Sequence, residues 1–427
     1  MKKSLLVILI VLLVILTVGS SVSFAEEQVI PTADLPTDNS ENPEIQAFVK
    51  ELCALNAEGN KSGNKEEIRK YLVEKFRSAL GEPADIATAE SNVKEDYFTN
   101  DGNAYWNIVA RLVKDDTAKQ IVIGAHYDVT NGEGAADNVV GVAVLYQTIK
   151  TLVANASIPC NITFVAFDGE ENGLLGSKHF VSKMSAEQLL NTLVMFNIDS
   201  IALGDNVYLM CENKRTDLAN TILANSEGIV EKPYAKGTYG SYLEGVFGFG
   251  YGYYEYIQGS DHTPFRLSGI PIAFLFSGTY SAEIWKFSES SDPSKKVINS
   301  AADTYDNLVS SGVDYLARIN TVSSAITQTI TSDGFTEVAE NAKSQLVNLN
   351  FWYNKWWASL AILVILVILA VLTWFYNNKL QKKAILGTAE IKTQKVFEKP
   401  DASEIFSFDD KDSQSKADVD DIFTFKK

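Results

Sequence analysis

Two apolar stretches rich in β-branched residues each end in a group of acidic and imidazole side chains. Ile121–Ala125 leads to His126, Asp128 and Asp137, and Ile162–Phe167 leads to Asp168, Glu170 and Glu171. Open α/β sheets bind ligands and metal ions at the carboxyl ends of their strands. We therefore predict that these two strand ends carry the chemistry of the protein.

The chain contains only three histidines, and two of them, His126 and His262, lie in clusters with aspartates. His126 and Asp128 are two residues apart, so in an extended chain their side chains lie on the same side. The carboxylate of Asp128 could then accept the spare ring N–H of a metal-bound His126 and orient it. A His-x-Asp pair alone does not establish a metal site, because histidines on protein surfaces are common.

Asp137 lies among small residues, in the sequence GAADN, just before a predicted helix. Small neighbours leave room for a metal ion that the carboxylate could bridge. An aspartate here would equally serve as an N-cap, worth about 1 kcal/mol. Glu170 and Glu171 are adjacent like charges, and such a pair at a strand end usually serves a cation or a proton transfer.

Two further candidates come from later in the chain. Asp199 ends the apolar sequence LVMFNID, and His262 lies in the sequence DHTPF shortly before another predicted strand. Both must fold back onto the first two strand ends to share a site with them.

A sheet is needed to bring these side chains together. The periodicity predicts helices at 43–55, 65–80, 138–153, 186–191, near 216–224 and at 307–329, and strands at 105–113, 121–125, 162–167, 193–198, 207–210 and 270–276. This alternation indicates an α/β fold with a mostly parallel or mixed central sheet flanked by helices on both faces. The Gly- and Tyr-rich segment 234–258 is expected to be a loop or hairpin, either lining a substrate pocket or forming a plain β-excursion.

The first 25 residues have the form of an export signal, with Lys2 and Lys3 before an apolar run and the small-residue sequence Ser23-Phe24-Ala25 at its end. An uncleaved membrane anchor is the alternative, and in both cases the chain is translocated. Residues 26–42 are rich in Pro, Asp and Asn and are predicted to be a leader loop. A catalytic domain follows at 43–332.

A second apolar run, at residues 356–376, is long enough to cross a membrane, because about 20 residues at ~1.5 Å each span the ~30 Å hydrocarbon core. Aromatic residues lie at both of its ends and lysines follow it, so the positive-inside rule predicts a cytosolic C-terminus. The catalytic domain would then lie outside the cell, tethered to the cell membrane through a juxtamembrane linker at 333–355. Residues 377–427 are predicted to be a cytosolic tail without fixed structure.

The tail contains a short repeat, Glu404–Phe408 and Asp421–Phe425. Aromatic clusters flanked by acidic residues could dock a cytosolic partner, although chance similarity within a biased sequence explains them slightly better. These two segments are the only candidate sites for a cytosolic partner.

Composition excludes some classes of protein. A formal net charge of −17 argues against nucleic-acid binding, which requires a basic face. The three cysteines, Cys53, Cys160 and Cys211, are too few for a disulfide framework. The sequence contains no Cys-x-x-Cys spacing, which is a typical pattern of a structural zinc site.

Five motifs together resemble one family, the co-catalytic zinc exopeptidases typified by secreted leucyl aminopeptidases (clan MH). GAHYD, GAADN, DGEENGLLGS, FNID and SDHTPF occur in the family's order, and residues 303–307 (DTYDN) resemble its late DTxDN segment. The resemblance covers about residues 43–330. It implies a zinc aminopeptidase fold, peptide substrates and two zinc ions per chain.

The resemblance also implies a metal ligand set. His126 and Asp199 would hold one zinc ion, and Glu171 and His262 would hold the other. Asp137 would bridge the two ions.

Two catalytic roles follow from the same resemblance. Glu170 would be the general base that takes a proton from a metal-activated water and delivers it to the leaving amine. Asp128 would orient His126. A zinc-dependent aminopeptidase acting on extracellular peptides is therefore the expected function.

Alternatives within the same fold remain open. A carboxypeptidase or dipeptidase of the same clan would need basic groups for the substrate carboxylate, for which Arg215 and Arg266 are the candidates. Glutaminyl cyclases use one zinc ion, but the sequence GEENGLLGS has the aminopeptidase-like form. Receptor-like relatives lose metal ligands, whereas no ligand position is vacant here.

Overall fold

The computed structural model describes residues 42–62, 65–114, 117–154, 158–211, 217–231, 259–280, 287–288 and 297–397. The chain forms two compact units, one that ends at Asn354 and one that begins at Lys355. Several predicted features lie outside the described residues: the export signal, the leader before Asn42, Arg215, the segment 234–258 and both tail repeats.

Two helices, α1 (Pro43–Ser62) and α2 (Glu66–Ala79), form the N-terminal part of the first unit. The buried residues of α2, Ile68, Leu72 and Phe76, are each four apart, which is the spacing of one helix face. Both helices agree with the sequence prediction, and α1 continues beyond it to Ser62.

Strands and helices alternate in the rest of the described residues. The strands are β1 (Val93–Asn100), β2 (Asn103–Leu112), β3 (Gln120–His126), β4 (Asn161–Phe167), β5 (Thr192–Ile198), β6 (Asn206–Cys211), β7 (Ile229–Glu231), β8 (Ile272–Tyr280) and β9 (Phe287–Ser288). The helices are α3 (Val140–Val153), α4 (Leu175–Lys183), α5 (Ala186–Asn191), α6 (Asp217–Ala224), α7 (His262–Leu267), α8 (Tyr305–Ser310), α9 (Tyr315–Thr331) and α10 (Phe335–Phe397).

The strands form a mixed sheet in the order β1-β2-β4-β3-β5-β8-β6-β7, with β9 paired to β8. Its centre is parallel: β3 pairs with both β4 and β5, and β5 pairs with β8. Strand β2 runs antiparallel to both β1 and β4, and β6 runs antiparallel to β8 but parallel to β7. Because β3, β4 and β5 are parallel neighbours, the loops that follow them meet at one edge of the sheet.

Alternating residues of the central strands enter two different apolar cores. Ile121 and Ile123 of β3 pack in the larger core with α1, α2, α3 and α9. Val122 points the other way, into a smaller core with Phe265 of α7. This two-residue period places helices on both faces of the sheet and confirms the predicted fold class.

The end of the first unit differs from the sequence prediction. The predicted helix at 307–329 is two helices, α8 and α9, because Gly312 adopts a positive φ of 83° and Asp314 caps a new helix start. The Asp314 side chain accepts the Ala317 N–H at 2.9 Å. An interruption of this kind is typical of a glycine followed by a capping aspartate.

The long helix α10 also departs from the prediction. It begins at Phe335, inside the predicted linker, and continues to Phe397, through residues that we predict to lack fixed structure. Lysine, leucine, alanine and glutamine are frequent after residue 376, and these are strong helix formers. Within α10, Ile362–Leu386 is long and apolar enough to cross a membrane, and it overlaps the predicted span 356–376.

Candidate metal centre

Three predicted ligands lie together at the carboxyl edge of the sheet. Nε2 of His126 is 3.1 Å from Oδ1 of Asp137 and 3.5 Å from Oδ1 of Asp199. Their ligand atoms all lie within 4.8 Å of one another, and no other group of three or more such side chains occurs among the described residues. We call these side chains the three-residue group.

The sheet explains why these three side chains meet. His126 ends β3, and Asp199 directly follows β5, the parallel neighbour of β3. Asp137 lies in the irregular turn Ala135–Val139 that leads into α3. Two adjacent strand ends and one helix start therefore supply one ligand each.

The Asn138 side chain links the turn that contains Asp137 to the loop that follows β5 and contains Asp199. Its side-chain amide donates to the Ile198 carbonyl at 2.8 Å and accepts the Ser200 N–H at 3.2 Å. A Cβ atom on Gly141 would lie only 2.1 Å from Asn138 Oδ1, so glycine at 141 provides the space for this side chain. We did not predict these roles, although both residues lie within or just after the GAADN motif.

The Asp199 carboxylate is fixed by two hydroxyl groups. Ser200 Oγ donates to Oδ1 at 2.9 Å, and Ser260 Oγ donates to Oδ2 at 2.6 Å. Ser260 lies two residues before His262, so this contact also ties the start of α7 to the site.

Asp128 contacts both His126 and the loop that carries Glu170 and Glu171. Its main-chain oxygen lies 3.2 Å from Nδ1 of His126, whereas its carboxylate Oδ1 is 3.6 Å from that nitrogen. The carboxylate instead accepts the N–H groups of Glu170 at 3.0 Å and Glu171 at 3.2 Å. Asp128 therefore contacts His126 through its backbone, and its side chain holds the loop that carries Glu170 and Glu171, which we call the glutamate loop. Its role in orienting His126 stays a prediction.

Charge in this region is strongly unbalanced towards the negative. Burial raises the pKa of Glu170 to about 10; the positive charge of His126 opposes that rise, and the carboxylates of Asp199 and Asp261 add to it. Burial would lower the pKa of His126, but the surrounding carboxylates hold it well above its ordinary value. Such a cluster of buried acids favours a cation.

Glu171 and His262 are near this edge but do not join the three-residue group. With the Asn299 amide oriented to donate, its Nδ2 lies 2.8 Å and 2.9 Å from the two carboxylate oxygens of Glu171. His262 is fully buried, stacks on Phe274 at 4.4 Å between ring centres and has Nδ1 3.3 Å from Asn197 Nδ2. Their roles as metal ligands stay predictions.

The start of the glutamate loop is also held by an ion pair between Asp168 and Lys65, which sequence analysis missed. Lys65, next to the first residue of α2, donates to Asp168 Oδ1 at 2.8 Å. Asp168 Oδ2 accepts the Trp106 N–H at 3.0 Å, and its own N–H donates to Asn107 at 3.1 Å. Nothing in the sequence around Lys65 distinguishes it from the other surface lysines of α2.

Asp303 approaches the three-residue group from the C-terminal part of the unit. Its carboxylate accepts the N–H groups of Ala136 at 2.7 Å and Asp137 at 3.0 Å. Asp303 is the first residue of the DTYDN segment, which the resemblance identified without giving it a role.

A one-nitrogen, carboxylate-rich donor set of this kind fits zinc, which binds histidine nitrogen and carboxylate oxygen. A profile of peptidase family M28 matches residues 107–323, just over half of the chain, and this range contains all the predicted metal ligands and both predicted catalytic residues. The chain belongs to peptidase family M28.

Two individual relatives have low sequence identity to this chain and are longer than it is. Leupeptin-inactivating enzyme 1 of Streptomyces exfoliatus is 24% identical over 295 residues, which cover 67% of this chain and 58% of that protein. Aminopeptidase YwaD of Bacillus subtilis (strain 168) is 30% identical over 174 residues, which cover 39% of this chain and 34% of that protein. The chain thus spans between about a third and three fifths of the length of these relatives.

Among solved structures, the Legionella pneumophila LapA aminopeptidase is similar, with a TM-score of 0.44 and 19% identity. The similarity covers 70% of this chain and 76% of that one.

Proposed function

We propose that this chain is a zinc-dependent aminopeptidase that removes the N-terminal residue from peptides. The observation that carries the proposal is the buried three-residue group in a chain of peptidase family M28. The aminopeptidase YwaD, 30% identical over its matched region, supports the same reaction.

We propose two zinc ions, as the family resemblance implies. His126 and Asp199 would hold the first, Glu171 and His262 the second, and Asp137 would lie between them. Bound zinc would supply Lewis acidity, polarising the scissile carbonyl and lowering the pKa of a water molecule to roughly 7.

Glu170 is the proposed general base. It lies in the loop that follows β4, and its N–H donates to Asp128. In the reaction it would take a proton from water and give it to the leaving amine.

The acidic surroundings suit a substrate with a positive end. A free α-amino group would be attracted to the carboxylates of the site, which would restrict cleavage to N-terminal residues. A carboxypeptidase would instead need a cation for the substrate carboxylate. Arg266 is a described candidate for that cation, but it is only 6% exposed.

We further propose that the protein is held at the cell membrane by α10, with the catalytic unit outside the cell. The apolar stretch Ile362–Leu386 and the lysines around its end support this location. A relative from Mycobacterium tuberculosis, named probable lipoprotein aminopeptidase LpqL, is 28% identical over 189 residues, and its name is consistent with attachment to a membrane.

The test is a metal count combined with a panel of aminoacyl-anilides, made on the full-length chain in detergent. We expect about two zinc ions per chain and chelator-sensitive release of anilide from substrates with a free amino group. N-acetylated versions of the same substrates should not be cleaved.

Three outcomes would contradict the proposal. Cleavage of blocked peptides from the C-terminal end would favour a carboxypeptidase, and cyclisation of N-terminal glutamine without hydrolysis would favour a cyclase. A chain that binds no zinc and cleaves nothing would favour a non-catalytic relative.

A further inference from the structure

We infer that residues 297–305, which we call the 297–305 segment, hold two proposed metal ligands in position: Asp137 through Asp303, and Glu171 through Asn299. The segment follows β9 and lies outside every strand and helix that carries the predicted ligands. The inference rests on the proposed zinc centre and assigns two positioning residues to it.

Asp303 acts on Asp137 through the main chain. Its two carboxylate oxygens accept one N–H each, from Ala136 at 2.7 Å and from Asp137 at 3.0 Å. The side chain is only 2% exposed, so these hydrogen bonds form away from water. Two charge-assisted bonds to consecutive peptide groups fix the turn from which the Asp137 carboxylate extends.

Asn299 acts on Glu171 directly. When its amide is oriented to donate, Nδ2 lies within 2.9 Å of both Glu171 oxygens and 3.0 Å from Thr130 Oγ1. Asn299 has a φ of +58°, a left-handed conformation that asparagine tolerates better than most residues. The backbone conformation and the amide group therefore both favour asparagine at this position.

The 297–305 segment is itself fastened to the loop between His126 and Asp137. The Glu133 N–H donates to the Asp303 carbonyl at 2.7 Å, and the Glu133 carboxylate accepts the Tyr305 N–H at 2.8 Å. A Cβ atom on Gly132 would lie 2.6 Å from the same Asp303 carbonyl, and Gly132 has a φ of +73°. Glycine at 132 thus permits the close approach of the two backbones.

A buried carboxylate at position 303 is energetically unfavourable if its role is only that of a structural hydrogen-bond acceptor. Asp303 adds a buried negative charge next to Asp137, and like charges at close range repel. A cation bound by Asp137 would be attracted by that charge as well as by its ligands. Groups that support metal ligands in this way typically contribute 10- to 100-fold to metal affinity.

The test compares zinc affinity in four versions of the full-length chain: wild type, Asp303→Asn, Asn299→Gly and Asp314→Asn. Asparagine at 303 keeps the shape but removes the charge and one acceptor. Glycine at 299 retains the left-handed backbone and removes only the amide. Asp314 is the matched control, because it also accepts a main-chain N–H but caps α9.

Zinc bound per chain is measured by competition with a chelator of known affinity, and the melting temperature of each zinc-free chain is recorded beside it. We expect at least one zinc ion to bind 10- to 100-fold more weakly in Asp303→Asn and about tenfold more weakly in Asn299→Gly. Asp314→Asn should leave both the melting temperature and the zinc affinity nearly unchanged, because asparagine caps a helix about as well as aspartate. A structural role alone would lower the melting temperature of Asp303→Asn or Asn299→Gly and leave the zinc affinity of both unchanged.

Wild-type zinc affinity in folded Asp303→Asn and Asn299→Gly would overturn the inference while leaving the proposed enzyme intact. If Asp303→Asn does not fold, Asn299→Gly alone decides the outcome. A wild-type chain that binds no zinc would overturn the proposed function itself, and the inference with it.

Discussion

At the scale of single residues, Asp128 connects the imidazole and the glutamates of the site. Its main-chain oxygen lies 3.2 Å from His126, and its carboxylate holds the amides of Glu170 and Glu171. Hydrogen bonds to Asp128 therefore fix the backbone from which the two glutamate side chains extend. If Glu170 is the base that we propose, this arrangement would hold its backbone in place while its side chain exchanges a proton.

Replacing Glu170 by glutamine should abolish proton transfer without disturbing the fold. The amide keeps the shape of the side chain but cannot accept a proton at neutral pH. We expect kcat to fall at least about 10²-fold with zinc content unchanged, since general bases typically contribute 10²–10⁴. Near-normal turnover of Glu170→Gln, measured with an aminoacyl-anilide, would remove Glu170 from the mechanism.

Replacing Lys65 by methionine should destabilise the first unit. Asp168 is fully buried and would lose its cation, whereas Lys65 is 33% exposed and partly solvated. We therefore expect about 2 kcal/mol of lost stability, less than the ~3–5 kcal/mol of a fully buried pair. Chemical denaturation would measure it.

Lys70 of α2 offers the control for this substitution. It pairs with Glu66 and Glu67 on the exposed surface of the same helix. Lys70→Met should leave the denaturation midpoint unchanged. An equal loss in both variants would mean that the Lys65–Asp168 pair has no special role.

At the scale of elements, the sequence predicts the central strands and most helices because their apolar patterns are regular. Strand β1 was missed: only Val93 and Phe98 of its eight residues are buried, so its pattern resembles a polar surface segment. In the three-residue group, His126 and Asp199 were predictable because each ends an apolar run, and Asp137 because of its small neighbours. Asn138, Asp303 and Lys65 were not, because they act through hydrogen bonds to partners distant in sequence, which leave no local pattern.

Gly141 at the start of α3 provides a test of how elements fix the site. Alanine would place Cβ 2.1 Å from Asn138 Oδ1 and displace the side chain that joins the Asp137 turn to the Asp199 loop. We expect Gly141→Ala to lose about 1–3 kcal/mol, the usual cost of overpacking, together with zinc affinity.

A double-mutant cycle with Asn138→Ala shows whether this is the mechanism. If the clash with Asn138 is the cause, Gly141→Ala should add little to the loss already produced by Asn138→Ala. Fully additive losses would mean that Gly141 acts through another contact.

At the scale of the whole molecule, the first turns of α10 belong to the catalytic unit. Phe335 and Ala339 are buried in the larger core, at 1% and 0% exposure. Lys343 donates to the carbonyls of Leu190 and Thr192, each at 2.7 Å, and burial lowers its pKa to about 8. The region that we predicted as a linker is therefore partly a structural element.

Two truncations separate these roles of α10. A chain that ends after Asn354 keeps Phe335, Ala339 and Lys343 and should melt at the temperature of the first unit in the full-length protein. A chain that ends after Ser332 loses all three contacts and should melt several degrees lower. Equal melting temperatures, followed by circular dichroism, would show that α10 contributes no stability to the catalytic unit.

Because Asp303 lies late in the chain, the ribosome makes it well after Asp137. It lies 166 residues after the N–H of Asp137 that it accepts. At a synthesis rate of about 5–20 residues per second, roughly 8–33 s pass between the appearance of the two residues. During that interval the Asp137 turn exists without the carboxylate that fixes it, so the metal centre reaches its final form only late in synthesis, after nearly all of the catalytic unit has been made.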